Sequence, residues 1–524
     1  MNKILFLAVL GVMLALVFGA CRPPTGPGGD PVNPADLHLR QGVTDLPAGT
    51  GTYAFEPVML VDGDGGHCCS YVDFTVENLG QQNLVISSVE LGGADALDFD
   101  LDTQSLAPLL EPSYLSFFSV RFDPLDGLGR RSCTITINSN DEQQPAYTIA
   151  AAGGGMRRIV RADRTEDNQF GGSVAVSGET VVVPCPRYAD GSSWNQGALH
   201  VFYRNQDGTD RFGQIKTITA ASSFGGYGGQ VAIDGDTLVT GAGGQGVVYV
   251  YYRDAGGADN WGEVKQITVS DSTEFGSHVA VHGDVLVVSQ SDDDIDGRAN
   301  QGSAHVFYRN RGGTDNWGQV KKLTAAGGAE NDRFGVSATV HGGTIVVGAH
   351  GVDAFYSAQG AAFVYSRDAG GADNWGQVKR LTASDGAENA YFGWSVDIES
   401  DTLVVGAAQS SYVYVFERDA GGPDYWGEVK KLAAASMLSR DVALSADLIA
   451  ACSYMYESAR GAVYLFARDQ GGAENWGQVL RLTAADGTGG DIFGSAVACD
   501  GEVVLVGASG DDGSRGAAYV YVHE

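Results

Sequence analysis

The segment 334–389 recurs in outline along the C-terminal two-thirds of a 524-residue chain, and a long internal repeat constrains a fold more than any single motif. The unit opens on Phe334-Gly335 and a strand over 336–340, then turns at His341-Gly342-Gly343. A strand over 344–349, a variable loop, a strand over 361–367, a Gly/Asp hairpin and a strand opening at Trp375 complete it. Four short strands per unit make one blade of a β-propeller. Copies are led by Phe170, Tyr227, Phe275, Phe334, Phe392, a degenerate one near Leu438, and Phe493, so seven blades are expected. Runs such as Val285-Leu-Val-Val, Thr402-Leu-Val-Val and Val503-Val-Leu-Val are β-branched and too short for helices, as sheets covered on both faces require. Gly178-Glu179, Gly235-Asp236, Gly283-Asp284 and Gly501-Glu502 sit where a tight hairpin needs positive φ.

The ends of the array complete each other. The last copy stops after its third strand, at 517–523, while Arg157-Arg-Ile-Val-Arg-Ala-Asp before the first copy matches Lys379-Arg-Leu-Thr-Ala-Ser-Asp. The spacing predicts one shared blade, with residues 157–162 pairing with 517–522, and such closure leaves no open sheet edge.

Ahead of the array lie three segments. Residues 1–20 carry one Lys and an apolar run from Ile4 to Phe18, the pattern of a secretory signal. Gly19-Ala20 before Cys21 resembles the lipobox of bacterial lipoproteins, which implies lipidation of Cys21 and display on the cell envelope, at the outer membrane or cell surface of a bacterium. Residues 21–35 hold five prolines among Gly and Thr, a composition that cannot bury a core and acts as a tether. Residues 36–155 contain short alternating strands such as Tyr71-Val-Asp-Phe-Thr-Val and Cys133-Thr-Ile-Thr-Ile, expected to form a β-sandwich. The elements Asn78-Leu-Gly, Phe122-Asp-Pro124 and Ile135-Thr-Ile-Asn-Ser-Asn-Asp141 resemble the immunoglobulin-like modules called choice-of-anchor or hydin-type. That resemblance implies a spacer or docking role. The expected architecture is all-β: an immunoglobulin-like sandwich (36–155) followed by a seven-bladed propeller (156–524).

Charge narrows the partners. A formal net charge of −31 argues against nucleic acid and against anionic membrane surfaces, which leaves lipid as the only expected membrane contact. Seven cysteines form no zinc spacing. Cys133 pairs with Cys68 or Cys69, or remains free, and Cys185 and Cys452 occupy a position held by Ala349, Ala407 and Ala508 in other copies, so both read as small buried residues.

Phe334-Gly335 and Val347-Gly348-Ala349, repeated through the array, resemble the FG-GAP repeats of integrin α-subunit propellers and of bacterial surface proteins. The family often carries an Asp-x-Asp-x-Asp-Gly calcium loop between the first two strands, but only a tight turn stands there in this chain. One such motif, Asp292, Asp294 and Asp296 before Gly297, lies instead between the second and third strands of the third copy. Alternate carboxylates can aim oxygens at a hard cation, so the loop is either a calcium site, with Asn300 completing the shell, or a solvated acidic turn.

Catalysis has no visible motif: no nucleophile elbow, zinc helix or phosphate loop occurs in context. His278, His282 and His341 have no fixed partners, and His282 and His341 read as exposed turn residues. Trp261, Trp317, Trp375, Trp426 and Trp476 either pack between blades or stack on sugars. Partner contact is expected on the variable loops opposite the tight turns, with Asp293, Asp353, Asp385, Glu388, Asp511 and Asp512 as candidates. The expected function is non-enzymatic binding of protein or glycan. Two rivals have distinct signatures: a lectin would repeat pockets with an aromatic and a carboxylate, and a hydrolase would cluster raised-pKa carboxylates in the central funnel.

Overall fold

A computed structural model describes residues 35–523, apart from 43, 49–51, 56–57, 61–69, 123–128, 162–168, 189–195, 207–209, 221–225, 270–273, 434–439, 471 and 474. Cys21, Cys68, Cys69 and the signal-like segment lie outside the described residues. No helix among the described residues is long and apolar enough to cross a membrane.

Residues 37–159 form two sheets around one core, antiparallel except that Thr52–Ala54 and Val58–Leu60 run parallel to Ala146–Ile159. Strands Leu37–Gln41, Thr44–Asp45, Ser70–Asn78, Phe99–Asp102 and Leu115–Phe122 make the first, and Leu84–Gly92, Leu109–Leu110, Gly129–Ser139 and Ala146–Ile159 carry the second. Alternate residues of Ser70–Asn78 and Leu115–Phe122 point inward, so Phe74, Phe118 and Phe122 pack against Ile135, Ile137 and Ile149. Two buried polar side chains hold the loops to this core. Asn78 donates to the Leu110 and Gln82 carbonyls at 2.9 and 2.7 Å, and Asp141 accepts from the Leu37 amide at 3.0 Å. Cys133 is buried in this core, its thiol pushed up to about 12 by burial and by Asp95.

Residues 175–219, 227–268, 279–323, 337–381, 392–433 and 442–482 each form a four-stranded antiparallel sheet in chain order. Strands Phe493–Asp500, Val503–Ala508 and Ala517–Val522 continue the pattern, and Ala146–Ile159 takes their outer edge. The register is Met156 to Tyr521, Arg157 to Val520, Arg158 to Tyr519 and Ile159 to Ala518. A single strand therefore closes the second sheet of the N-terminal unit and completes the last sheet of the array. The first strand of each sheet lies beside the first strand of the next, and Phe493–Asp500 returns to Ala175–Ser177. The sheets form a closed ring of β-propeller type.

The repeated residues make the joints of this ring. Phe170, Phe275, Phe334, Phe392 and Phe493 are fully buried, and the glycine after each of them has positive φ. A Cβ on Gly348 would meet the carbonyl oxygen of Gly393, one on Gly241 that of Gly276, and one on Gly507 that of Gly171. Backbone of one sheet thus touches backbone of the next where only glycine fits. The last of these contacts closes the ring. On the outer side, Trp261, Trp317, Trp375, Trp426 and Trp476 are only 1–2 % exposed. Trp317 Nε1 donates to Tyr252 Oη of the preceding sheet at 3.0 Å, and Tyr252 donates to Asp315 at 2.9 Å. Arg309 lies over both rings. The same set recurs around Trp261 and Trp375, so these tryptophans join sheets and present no open face to a sugar.

Candidate functional site

An axial cavity of about 810 Å3 runs along the first strands. At its narrow-turn end, the last side chain of each first strand faces inward: Ser177, Asp234, His282, His341, Glu399, Ser445 and Asp500. Backbone amides of the following turn donate to six of these side chains in sequence around the ring. Gly235 N reaches Ser177 Oγ at 3.0 Å, Gly283 N reaches Asp234 at 2.5 Å, Gly501 N reaches Ser445 Oγ at 2.8 Å, and Gly178 N reaches Asp500 at 2.5 Å. Ser400 N bonds His341 Nδ1 and Ala446 N bonds Glu399. His282 instead packs edge-on against His341, with ring centroids 4.4 Å apart. His282 and His341 are therefore half-buried cavity residues rather than exposed turn residues. Burial, then His282, lowers the His341 pKa, which agrees with an unprotonated Nδ1 that accepts a bond.

Deeper in the cavity stand two half-buried carboxylates. Asp397 accepts from Leu444 N at 2.8 Å, Ile398 N at 2.9 Å and Thr339 Oγ at 3.0 Å. Asp441 accepts from Val497 N at 2.9 Å, Ser395 Oγ at 3.0 Å and Val442 N at 3.1 Å. Each carboxylate bridges its own first strand to both neighbouring sheets. Burial pushes both pKa values up to about 6 against these bonds. Clustered raised carboxylates are the signature expected of a hydrolase, yet their oxygens are engaged by strand groups, the arrangement of an inter-sheet clip.

The opposite, variable-loop mouth is aromatic. Trp394 lies 4.5 Å from His350 and 6.0 Å from Tyr391, centroid to centroid. Arg440 stands over Trp394 at 5.2 Å and over Tyr454 at 5.1 Å. The loop 350–359 is hydrogen-bonded to this corner through Asn389 N to Ser357 O and Tyr391 N to Ala358 O, and it displays Phe355 at 89 % exposure beside exposed Tyr356. None of these aromatics was singled out from the sequence. The available signal is Trp394, which follows Phe-Gly where the copies led by Phe170, Phe275, Phe334 and Phe493 have Gly172, Ser277, Val336 and Ser495.

The sequence-derived candidates do not converge. Asp292 pairs with Arg333, Asp294 accepts from Asn300 N at 2.8 Å, and Asp296 occupies the positive-φ tip of a small turn closed by Ile295 and Arg298. Among the described residues, no group of three or more acidic, His or Cys side chains is placed to hold a metal, and Asp292 and Asp294 are here engaged by Arg333 and by the Asn300 amide. Asp293 pairs with Lys322 at 2.6 Å and accepts from Ser303. Asp353 caps its own loop, accepting from Ala358 N at 2.7 Å. Asp385 bonds Tyr414 at 2.8 Å and Lys431; burial raises its pKa, and these bonds outweigh it to leave the pKa lowered. Glu388 is exposed. Asp512 pairs with Arg515 at 3.2 Å. Asp511 departs from the expectation: it is 3 % exposed, held by Arg158 and by Tyr519 Oη at 2.9 Å, because the closing strand brings a cation against it. Cys185 and Cys452 are fully buried, as expected for small core residues.

On the turn face, a second cavity of about 450 Å3 includes Tyr252, Asp236 and Asp254. Its arginines are already committed, Arg253 to Asp236 at 2.7 Å and Arg309 to Asp284 at 3.1 Å.

Five segments, 155–202, 261–307, 317–365, 375–416 and 476–521, match the family model described as FG-GAP repeat. Each matched segment that opens on Trp runs from the outer strand of one sheet into the next sheet. The unmatched stretches hold the copy led by Tyr227 and the degenerate copy near Leu438. No curated protein matches the chain. Among solved structures, Sqt1 from Chaetomium thermophilum is similar at 16% identity and TM-score 0.43, covering 66% of this chain and 80% of that one. Hsv2 from Kluyvelomyces marxianus has 10% identity and TM-score 0.40, with 65% and 89% covered. A putative 6-phosphogluconolactonase from Bacteroides fragilis has 12% identity and TM-score 0.42, with 67% and 92% covered. At such scores these likenesses decide nothing about this chain.

Proposed function

We propose that this FG-GAP repeat chain is a binding protein of the bacterial cell envelope. It holds a seven-bladed propeller away from the membrane on a lipidated Cys21, a Pro/Gly tether and an immunoglobulin-like spacer, and it takes protein or glycan partners on the variable-loop face. Six four-stranded sheets and one completed by Ala146–Ile159 support the blade count. Two sheets around one core support the spacer.

One observation carries the choice of face. On the turn face the arginines and buried tryptophans are engaged within and between sheets and Tyr425 is the exposed large aromatic among the described residues, whereas the loop face displays Phe355 and Tyr356 side by side with Asp296, Glu388 and Arg440 exposed nearby. Exposed aromatics beside polar groups on a rigid scaffold are where recognition is usually built. Probing native protein against immobilised glycans and envelope proteins tests the reading. Retention lost on loop-face substitution supports it, and retention unaffected by such substitutions contradicts it.

The paired carboxylates favour a second reading, a hydrolase acting in the axial cavity. Asp397 and Asp441 would act as acid and base there. Hydrolysis of a retained glycan, abolished by Asp441→Asn, would support that reading over simple binding.

A further inference from the structure

We propose that the corner formed by Arg440, Trp394, Tyr454 and Tyr391 binds a single uronic-acid residue of an otherwise neutral glycan. The inference rests on the reading that the loop face binds partners, and it names the chemistry. Arg440 is exposed and has no ion pair or hydrogen bond to its guanidinium among the described residues, in contrast to Arg253, Arg309 and Arg418, which are paired with Asp236, Asp284 and Asp401. Its position over two aromatic rings restricts the guanidinium while leaving in-plane N–H donors for a planar carboxylate. Trp394 lines the axial cavity beside it, and Tyr391 flanks Trp394, so apolar ring surface adjoins the cationic fork. A pyranose offers the matching pair, C–H faces for aromatic contact and a carboxylate for the fork. Hydroxyl and amide groups of Ser509 and Gln169 line the same mouth and suit sugar hydroxyls. The net charge of −31 opposes a polyanion, which selects one carboxylate on a neutral chain.

The test uses the full chain and three probes: a trisaccharide with one terminal glucuronic acid, its methyl ester, and a tripeptide with a free C-terminal carboxylate. Titration calorimetry should give the acid about tenfold or more tighter binding than the ester, the scale of a charge-assisted bond. Arg440→Gln should reduce that preference to within about twofold while leaving the melting curve unchanged, and Arg440→Lys should restore part of it. Trp394→Phe, which keeps a ring, should weaken acid and ester alike. Equal binding of acid and ester, a preference that survives Arg440→Gln, or a tripeptide that binds as tightly as the acid overturns the proposal. Glycan or protein retention that depends on the loop face without any uronate binding would overturn this inference alone, leaving the loop-face reading standing.

Discussion

Asp397 shows how one side chain supports two readings, a catalytic acid by its raised pKa and an inter-sheet clip by its contacts. Its oxygens accept from Thr339, Ile398 and Leu444, so Asp397→Asn puts an amide donor among three donors. Leaving one such group unsatisfied costs roughly 1–3 kcal/mol. Denaturant unfolding should show a loss on that scale, with loop-face binding retained. A loss of binding with unchanged stability would instead assign Asp397 to the ligand. Residue roles of this kind were the least legible part of the sequence. The motif Asp292-x-Asp294-x-Asp296-Gly297 is a local pattern, but Arg333, 41 positions away, draws Asp292 aside. Asp511 is turned inward by Arg158, 353 positions earlier. Spacing along the chain carries no trace of such pairings, whereas Trp394 could be read as a departure from its own repeat.

At the scale of the element, legibility was high because each strand appears in several copies. Phe-Gly and Gly-Ala keep fixed places since backbone meets backbone there, and a side chain at either glycine has nowhere to go. Gly348→Ala directs its methyl group at the Gly393 carbonyl, and the neighbouring sheet must shift. Overpacking of that kind costs typically 1–3 kcal/mol. A Gly342→Ala control is strained differently: its turn is open, with nothing near the added Cβ, but its φ is positive. Thermal melting should place Gly348→Ala below the native chain, and an unchanged melting temperature would contradict the close approach.

For the whole molecule, closure and charge set the behaviour. Burial holds His200 at about 3 and His278, His305 and His350 at about 4, against 6.5 when unfolded. Below pH 6.5 the unfolded chain gains protons that these four groups refuse, so their contribution is full above 6.5 and lost as pH falls. Asp397 and Asp441 act in the opposite sense, because a carboxylate raised from 3.8 to about 6 binds protons first in the folded state. His341 is lowered as well, and Glu274, Asp332 and Asp511 are raised, but these shifts are smaller, so the four large histidine shifts outweigh the two large carboxylate shifts. The melting temperature should therefore drop from pH 7 to pH 5; a rise would show that the carboxylates dominate. The anchor is a separate expectation: Cys21→Ser should move the protein from the membrane to the soluble fraction and abolish lipid labelling. Persistent labelling would contradict lipidation at that residue.

The central claim is that partners meet the variable-loop face. Once native protein has retained a ligand, its dissociation constant should be compared for two substituted forms, one with Asp296→Asn, Phe355→Ala and Glu388→Gln, the other with Asp254→Asn and Asp368→Asn on the turn face. The account predicts at least about tenfold weaker binding for the first form and native affinity for the second. Native affinity in the first form and lost binding in the second would contradict it.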